Sequence, residues 1–430
     1  MRRLLAFTAA ALLALAASLA AAGAAAAEGV AWQAAYDGHQ HGGDAFTSVV
    51  AAQNAVFAAG YTAASWANRS DMVLARYTPA GTRSWVRTWN GPASGADQCW
   101  ALARDRRGGL CLAGSTAGHG GDAVVVEFGA NGRLRWWRRY DSGARWQDTA
   151  RFVRPLTTAD AVYVVVESRS GTEWRTRVLR YSLRGRRDWV VRLAPGSRVT
   201  GVTTDARDDL YVSGWSATTT GSEGLLASFA RDGSQRWTVG LPGGDAFART
   251  TSIAAGGGGI VSTLCASDGP TGLGRASVLS SVSAPFTELW DTPVATALPH
   301  ELNAVAGADG GGAVAVGRLR DGESDLGFAV TVDAAGAAGA PLVWSAAGGC
   351  SGDLVTAASG GAWVAGRAGY TFSLLHLSPA PALAWRYDFT ARPSARALAL
   401  AAAPDGGAYV AGWSRAMGAG ADAVLLRVTP

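Results

Sequence analysis

The chain has 430 residues, 48% of them hydrophobic, and a formal net charge of +5. All 38 basic side chains are arginine and the 33 acids are interspersed with them, so no nucleic-acid footprint is expected. After the first 27 residues no apolar run is long enough to span a membrane, and 57 glycines point to many turns rather than to one linker.

Residues 1–27 read as a secretory signal peptide. Arg2-Arg3 is the charged start, 4–22 the apolar stretch, and Ala25-Ala26-Ala27 a small-residue cleavage site. An uncleaved anchor is the other reading of so long a stretch. No Cys follows the cleavage site, which gives no support to a lipid anchor. The expectation is a secreted or cell-envelope protein, with no membrane span after cleavage, whose residues 28–430 form a single β-propeller domain. Losing Arg2 and Arg3 takes the charge from +5 to about +3.

That domain repeats one unit, clearest at 210–237. Leu210-Tyr211-Val212-Ser213-Gly214 is a β-rich run, Leu225-Leu226-Ala227-Ser228-Phe229 a second, and Asp232-Gly233 a turn that tolerates positive φ before Trp237. With the run at 199–204 this makes four strands in roughly fifty residues, the size of a propeller blade. A small residue and Gly end the second strand at Gly60, Gly114, Gly214, Gly317, Gly366 and Gly412, with drifted copies at Val165-Val166 and Ser262-Thr263. The fourth-strand Trp recurs at Trp85, Trp136, Trp189, Trp237, Trp290, Trp344 and Trp385, and Trp32 supplies an eighth. The last copy stops after its third strand, and 30–36 is an unattached fourth. The expected fold is therefore all-β: a closed β-propeller of four-stranded antiparallel blades, eight in number or seven if a weak copy is not a blade. The N-terminal strand would complete the last blade and close the ring. The weak copies are the fifth, sixth and short seventh. Phe57, Cys111, Tyr163, Tyr211, Ile260, Val314, Trp363 and Tyr409 share one position and are expected to fill the wedge between neighbours.

Gly43-Asp44, Gly244-Asp245, the Tyr-Val-x-Gly run and the Asp-Gly-x-x-x-Trp turn together resemble bacterial SBBP-type and quinoprotein-like (PQQ-like) β-propeller repeats. The resemblance covers essentially all of 28–430. It implies the fold and leaves function open, since such propellers host unrelated roles. Quinoprotein dehydrogenases usually present a vicinal cysteine pair, and no two Cys are adjacent here. A sialidase-type Asp box, a Gly-x-Ser-x-Gly elbow, a His-Glu-x-x-His motif and a P-loop are also missing. No cofactor and no catalytic residue is assigned.

Binding is expected on the face that carries the varied loops 37–43, 62–70, 116–121, 141–147, 168–175, 216–222 and 414–421. There Asp44, Asp97, Asp148, Ser197, Asp245 and His300 begin the innermost strands. They would ring the channel mouth as a polar-ligand site, or each Asp would accept N–H bonds within its own blade connection. Tyr61, Trp66, Trp146, Trp174, Trp215 and Trp413 lie near the same face and would stack on sugars or a protein partner, or simply pack loops. The ligand-binding candidates are thus Asp44, Asp97, Asp148, Asp245, His300, Tyr61, Trp66, Trp215 and Trp413. His39 and His41, with His119, offer too weak a spacing for an assigned metal site. Cys99 and Cys111 fall at core positions of one blade, as a disulfide or as two free thiols. The expected function is a monomeric, exported, non-enzymatic scaffold that binds a protein or polysaccharide. The alternative is an extracellular lyase or hydrolase on a polar polymer that uses the channel-mouth acids.

Overall fold

A computed structural model describes residues 29–429, apart from 39–40, 64–68, 118–120, 144–145, 242–246, 257–258, 268–275, 284–286, 295, 297, 309, 359, 380–381, 391 and 417–419. The side chains of 247, 259, 261, 263–267, 276–283 and 287 are likewise outside the description. So are residues 1–27, where a signal peptide is expected, and with them His39, Trp66, His119, Asp245 and the Cys265 side chain. All the elements among the described residues are strands, and no helix is long and apolar enough to cross a membrane.

Strands pair antiparallel with their chain neighbours through the repeat copies. Copies one (45–89), two (98–140), three (147–192), six (300–344) and seven (354–388) are each a four-stranded sheet. Copies four (197–241) and five (247–293) are joined into one eight-stranded sheet by a single parallel pairing of Ser222 with Phe247. The last sheet takes three strands from 394–429 and its fourth from Gly29–Tyr36.

This connectivity corrects the expectation of eight separate blades closed into a ring. Among the described residues hydrogen bonds define seven sheets, so the propeller has seven blades by that count, one of them double width. The Trp and Gly marks count copies, whereas a backbone ladder can run on where two copies meet, as it does at Ser222. The N-terminal strand does pair with the last strand, from Gly29 opposite Thr429 to Tyr36 opposite Ala423. That ladder ends inside its own sheet, and among the described residues no hydrogen-bonded ladder closes the ring. Packing closes it instead: the first strands of successive copies lie against one another all the way round, the eighth against the first.

The two sequence marks turn out to be the two halves of one contact. Five outer-strand Trp rings lie on the turn glycine of the next copy: Trp32 on Gly81, Trp85 on Gly132, Trp136 on Gly185, Trp189 on Gly233 and Trp290 on Gly336. At Gly185 φ is +77°, and a Cβ would come 2.8 Å from the Trp136 ring; at Gly233 the values are +92° and 2.9 Å from Trp189. The turn needs a left-handed residue and the ring leaves no room for a side chain, so two constraints select glycine. The indole also finds its acceptor there. Trp32 Nε1 donates to the Pro79 carbonyl at 2.8 Å and Trp136 Nε1 to that of Leu183 at 2.9 Å. Arg87 and Arg138, two residues beyond their tryptophans, donate to the carbonyls of Gly132 and Gly185.

The inner strands carry a second recurrent device. A β-bulge falls between Phe46 and Ser48, Cys99 and Ala101, Ala150 and Phe152, Val199 and Gly201, and Leu302 and Ala304. Some bulged side chains reach the neighbouring copy. Thr47 Oγ1 donates to the Cys99 carbonyl at 2.7 Å, Thr200 Oγ1 to that of Thr250 at 2.6 Å and Asn303 Nδ2 to that of Gly352 at 3.0 Å. The kinked strand comes so close to its neighbour that a Cβ on Gly214 would fall on the Arg198 carbonyl, which explains the glycine at that strand end.

Between copies lies the core. All of Phe57, Cys111, Tyr163, Tyr211, Ile260, Val314, Trp363 and Tyr409 are buried, each side chain worth roughly 1.5–3 kcal/mol of transfer free energy when large and apolar. Cys99, Cys111 and Cys350 are buried free thiols. Burial pushes the Cys99 thiol up to about 12, so it stays protonated at neutral pH.

Candidate functional site

The acids at the starts of the inner strands are built into their own loops. Asp44 is 1% exposed, Asp97 is fully buried and Asp148 is 1% exposed. In each case one carboxylate oxygen accepts the N–H of the residue six positions earlier: Gly38 to Asp44 at 2.7 Å, Gly91 to Asp97 at 2.6 Å and Ser142 to Asp148 at 2.6 Å. The other oxygen of Asp44 accepts the Ala63 N–H at 3.2 Å, and that of Asp148 the Ser142 hydroxyl at 2.7 Å. The backbone N–H of the same residue donates to the preceding sheet: Asp44 to the Ala421 carbonyl, Asp97 to Ser70 and Asp148 to Gly121. One residue thus ties a loop and a neighbouring copy together. Burial raises the Asp44 carboxyl above its ordinary range, although Gly38, Thr62 and Ala63 donate to it and pull the other way.

The remaining candidates are scattered. His300 is buried, with Nδ1 2.8 Å from the Thr296 hydroxyl and its ring edge-on to Phe328, and burial lowers its pKa. Tyr61 is half-buried, 6.3 Å from the Trp100 ring. Trp413 stands opposite Arg396 in the last sheet. Asp245 and Trp66 lie outside the described residues. His41 is an exposed partner of Asp37 at 2.5 Å, and that hydrogen bond and charge raise its pKa.

Trp215 lies in a cleft of size. The cleft holds about 880 Å³ at the junction of copies three and four, and its walls include Trp174, Arg175, Arg177, Arg192 and Trp215. Segment 168–175 reads as a loop in the sequence. In the structure the strands Ala161–Ser170 and Glu173–Ser182 run on to a tight turn at Gly171, where φ is +59°. The extension carries Trp174 and Arg175 above the neighbouring sheet. Arg198, opposite Trp215 in the ladder, stacks its guanidinium 3.7 Å from the Trp174 centroid and 5.9 Å from that of Trp215. Its charge is answered by Glu167 at 3.3 Å, which also receives Arg151 at 3.8 Å and the Val199 N–H at 3.2 Å. Arg175 lies 4.1 Å from the Trp146 centroid and 3.9 Å from Glu173. Arg177 donates to the Ser168 hydroxyl at 2.9 Å. A row of ring-on-cation contacts continues toward copy one through Arg151 on Trp100.

Copies six and seven are different. Asp325 holds Arg320 at 2.9 Å, Arg367 at 2.7 Å and Arg318 at 3.4 Å, and Arg318 also meets Glu301 at 2.9 Å. Burial alone would raise the Asp325 carboxyl. The hydrogen bonds and charges of Arg320, Arg318 and Arg367 outweigh it and hold the group below the usual range. A separate set of carboxylates, Asp122, Asp141 and Asp148, each places an oxygen within 4.8 Å of the others. Arg139 meets Asp122 at 3.2 Å and both oxygens of Asp148 are bonded to Ser142, so these groups already have partners within the protein.

Sequence reasoning missed Trp100, Arg151, Arg175, Arg192 and Arg198. Trp100 and Arg151 sit at the bulge position that Thr47 and Thr200 occupy elsewhere, so alignment of the copies contained the signal. The arginines carried none, because arginine is the basic residue everywhere in the chain.

No protein-family model matches the sequence, and no curated protein matches it. Solved structures do. Sqt1 from Chaetomium thermophilum is 12% identical, with 92% of this chain and 96% of that one covered at a TM-score of 0.58. A second structure of Sqt1 from the same organism is 12% identical over 94% and 99%, with a TM-score of 0.57. The β-propeller domain of the Trilobed protease from Pyrococcus furiosus is 8% identical over 76% and 92%, with a TM-score of 0.46. At these identities the likeness is one of fold: the chain is an all-β propeller of repeated four-stranded units.

Proposed function

We propose that this protein is an exported, non-enzymatic propeller scaffold that binds a polysaccharide or a protein through its varied-loop face. The cleft beside Trp215 carries the reading. It is large, it lies on that face, and its walls combine half-buried tryptophans with arginines, the residues that anchor partners at interfaces. The hydrolytic alternative loses its main support: Asp44, Asp97 and Asp148 are each engaged by their own loop and shielded from solvent. Polysaccharide is the favoured partner, since indole faces in an open cleft suit the apolar faces of sugar rings.

A thermal-shift panel of neutral and acidic glycans and divalent ions tests the proposal. A ligand that binds only the folded state raises Tm by mass action. A glycan shift that disappears in Trp215→Ala, with the unliganded Tm of the variant within a few degrees of the parent, is the expected result. A shift that survives in the variant would move the binding surface away from this cleft. Turnover of any glycan in the panel would sink the non-enzymatic part.

A further inference from the structure

We infer that the cleft between copies three and four is selective for acidic polysaccharide, a polymer whose sugar rings bear carboxylate or sulfate groups. The inference rests on the loop-face reading above and adds the charge of the ligand to it.

Arginine on this face comes in two states. At Asp325 three guanidinium groups share one carboxylate, and one of them also holds Glu301. In the cleft Arg177 and Arg192 have no carboxylate within ion-pair distance among the described residues, and Arg175 has only the exposed Glu173 at 3.9 Å. Three arginines therefore line the cleft against one glutamate. Arg192 is exposed and Arg177 is only 6% exposed, so one charge stands at the rim and another at the floor. A guanidinium presents paired N–H donors whose spacing matches a carboxylate or sulfate.

The aromatic walls define the rest of the ligand. Trp174 is fixed by Arg198 on its face, and Arg198 is fixed in turn by Glu167, so the indole is held in place before anything binds. Trp215 completes the wall and is half-buried. One unit of an acidic sugar has both features that these walls ask for, an apolar ring face and a charged substituent beside it. The volume, about 880 Å³, falls in the range of roughly 300–1,000 Å³ that encloses a small ligand or a unit or two of a sugar chain. A nucleic acid would also offer rings and charge. The chain carries only +5 with both signs interspersed, which is little for a phosphate backbone.

The test is a titration of the purified protein, read by tryptophan fluorescence, with a polyuronate, a sulfated dextran, a neutral dextran and a single-stranded oligonucleotide. Binding of the polyuronate or the sulfated dextran, at least tenfold tighter than of the neutral polymer and weakened at least threefold between low and high salt, is expected. The two acidic arms separate carboxylate from sulfate. Arg192→Gln, at an exposed position, should weaken the acidic polymer about tenfold and leave the circular dichroism and Tm unchanged. Equal binding of neutral dextran with no effect of Arg192→Gln would overturn the inference and leave the loop-face reading standing. Tighter binding of the oligonucleotide than of either acidic glycan would overturn the assignment to sugar. If no glycan binds, this inference fails, and the thermal panel with Trp215→Ala judges the broader reading by itself.

Discussion

On one side of the loop face, in copies three and four, arginines lie on rings: Arg198 on Trp174, Arg175 on Trp146 and Arg151 on Trp100. On the other side, in copies six and seven, arginines are gathered by carboxylates: Arg318, Arg320 and Arg367 converge on Asp325. The same side chain on the same scaffold thus does two jobs. A ring leaves a guanidinium its charge and its in-plane donors, so it can still meet an anion. A carboxylate uses both. Glu167 also answers Arg198 and Arg151, so the two sides differ in the rings that share the guanidinium groups and not in carboxylates alone.

Removing the answering group should have the largest effect on the ion-paired side. Asp325→Ala strips three arginines of their shared partner and should cost about 2–4 kcal/mol, seen as a fall in Tm of several degrees. The pH profile sharpens this. The Asp325 carboxyl is held below its ordinary value in the folded protein, so its contribution is present above the unfolded value and is lost as pH falls through the folded one. The variant should therefore lose stability at neutral pH while acid melting below about pH 4 becomes less steep. An unchanged Tm at pH 7 would mean that the cluster is decorative.

A carboxylate with too little arginine around it gives the opposite sign. Glu127 in copy two is fully buried beside Asp105, with Arg135 at 3.4 Å. Burial, and then the Asp105 charge, push it up to about 8. A folded value above the unfolded one means that the stabilising contribution is full below the unfolded pKa and drains away as pH rises toward 8. Urea melts from pH 5 to pH 8 should show stability falling by roughly 2 kcal/mol, and Glu127→Gln should flatten that slope. A parent protein with no slope in this window would refute the assignment.

The smallest change should come from the cleft side. Glu167→Gln keeps an acceptor for the Val199 N–H and removes the charge that partly answers Arg198 and Arg151. Acidic glycans should bind about threefold more tightly, with little change for a neutral one. Weaker binding would instead say that Glu167 matters by holding Arg198 against Trp174, and would transfer the specificity from charge to shape.

Much of the fold was legible because its marks are backbone demands. The turn glycine and the outer Trp recur since five copies place an indole on a left-handed turn, and the core position recurs since it fills a wedge. The sheet count was not legible. Whether Ser222 pairs with Phe247 depends on how two strand ends meet in space, and neither residue carries a mark of it. The site was half legible. Asp44, Asp97 and Asp148 stand out by repetition, and the repetition proves to be structural: each spends its carboxylate on a loop N–H six residues back. Trp215 stood out as an aromatic near a loop. The arginines around it did not, since their meaning lies in partners drawn from three strands of two copies.

The contact between each outer Trp and the next turn glycine has a consequence for how such a ring can change size. At five joints among the described residues an indole from one copy meets the receiving turn of the next, so those joints are made of the same two pieces. A copy of that kind inserted or removed whole would leave no unmatched flank at such a joint. Even the seam obeys the rule, because Trp32, from the far end of the chain, is received by Gly81 of copy one. Growth by duplication is thus limited by the geometry of the axis, where the inner strands must still meet, and not by the joints at the rim.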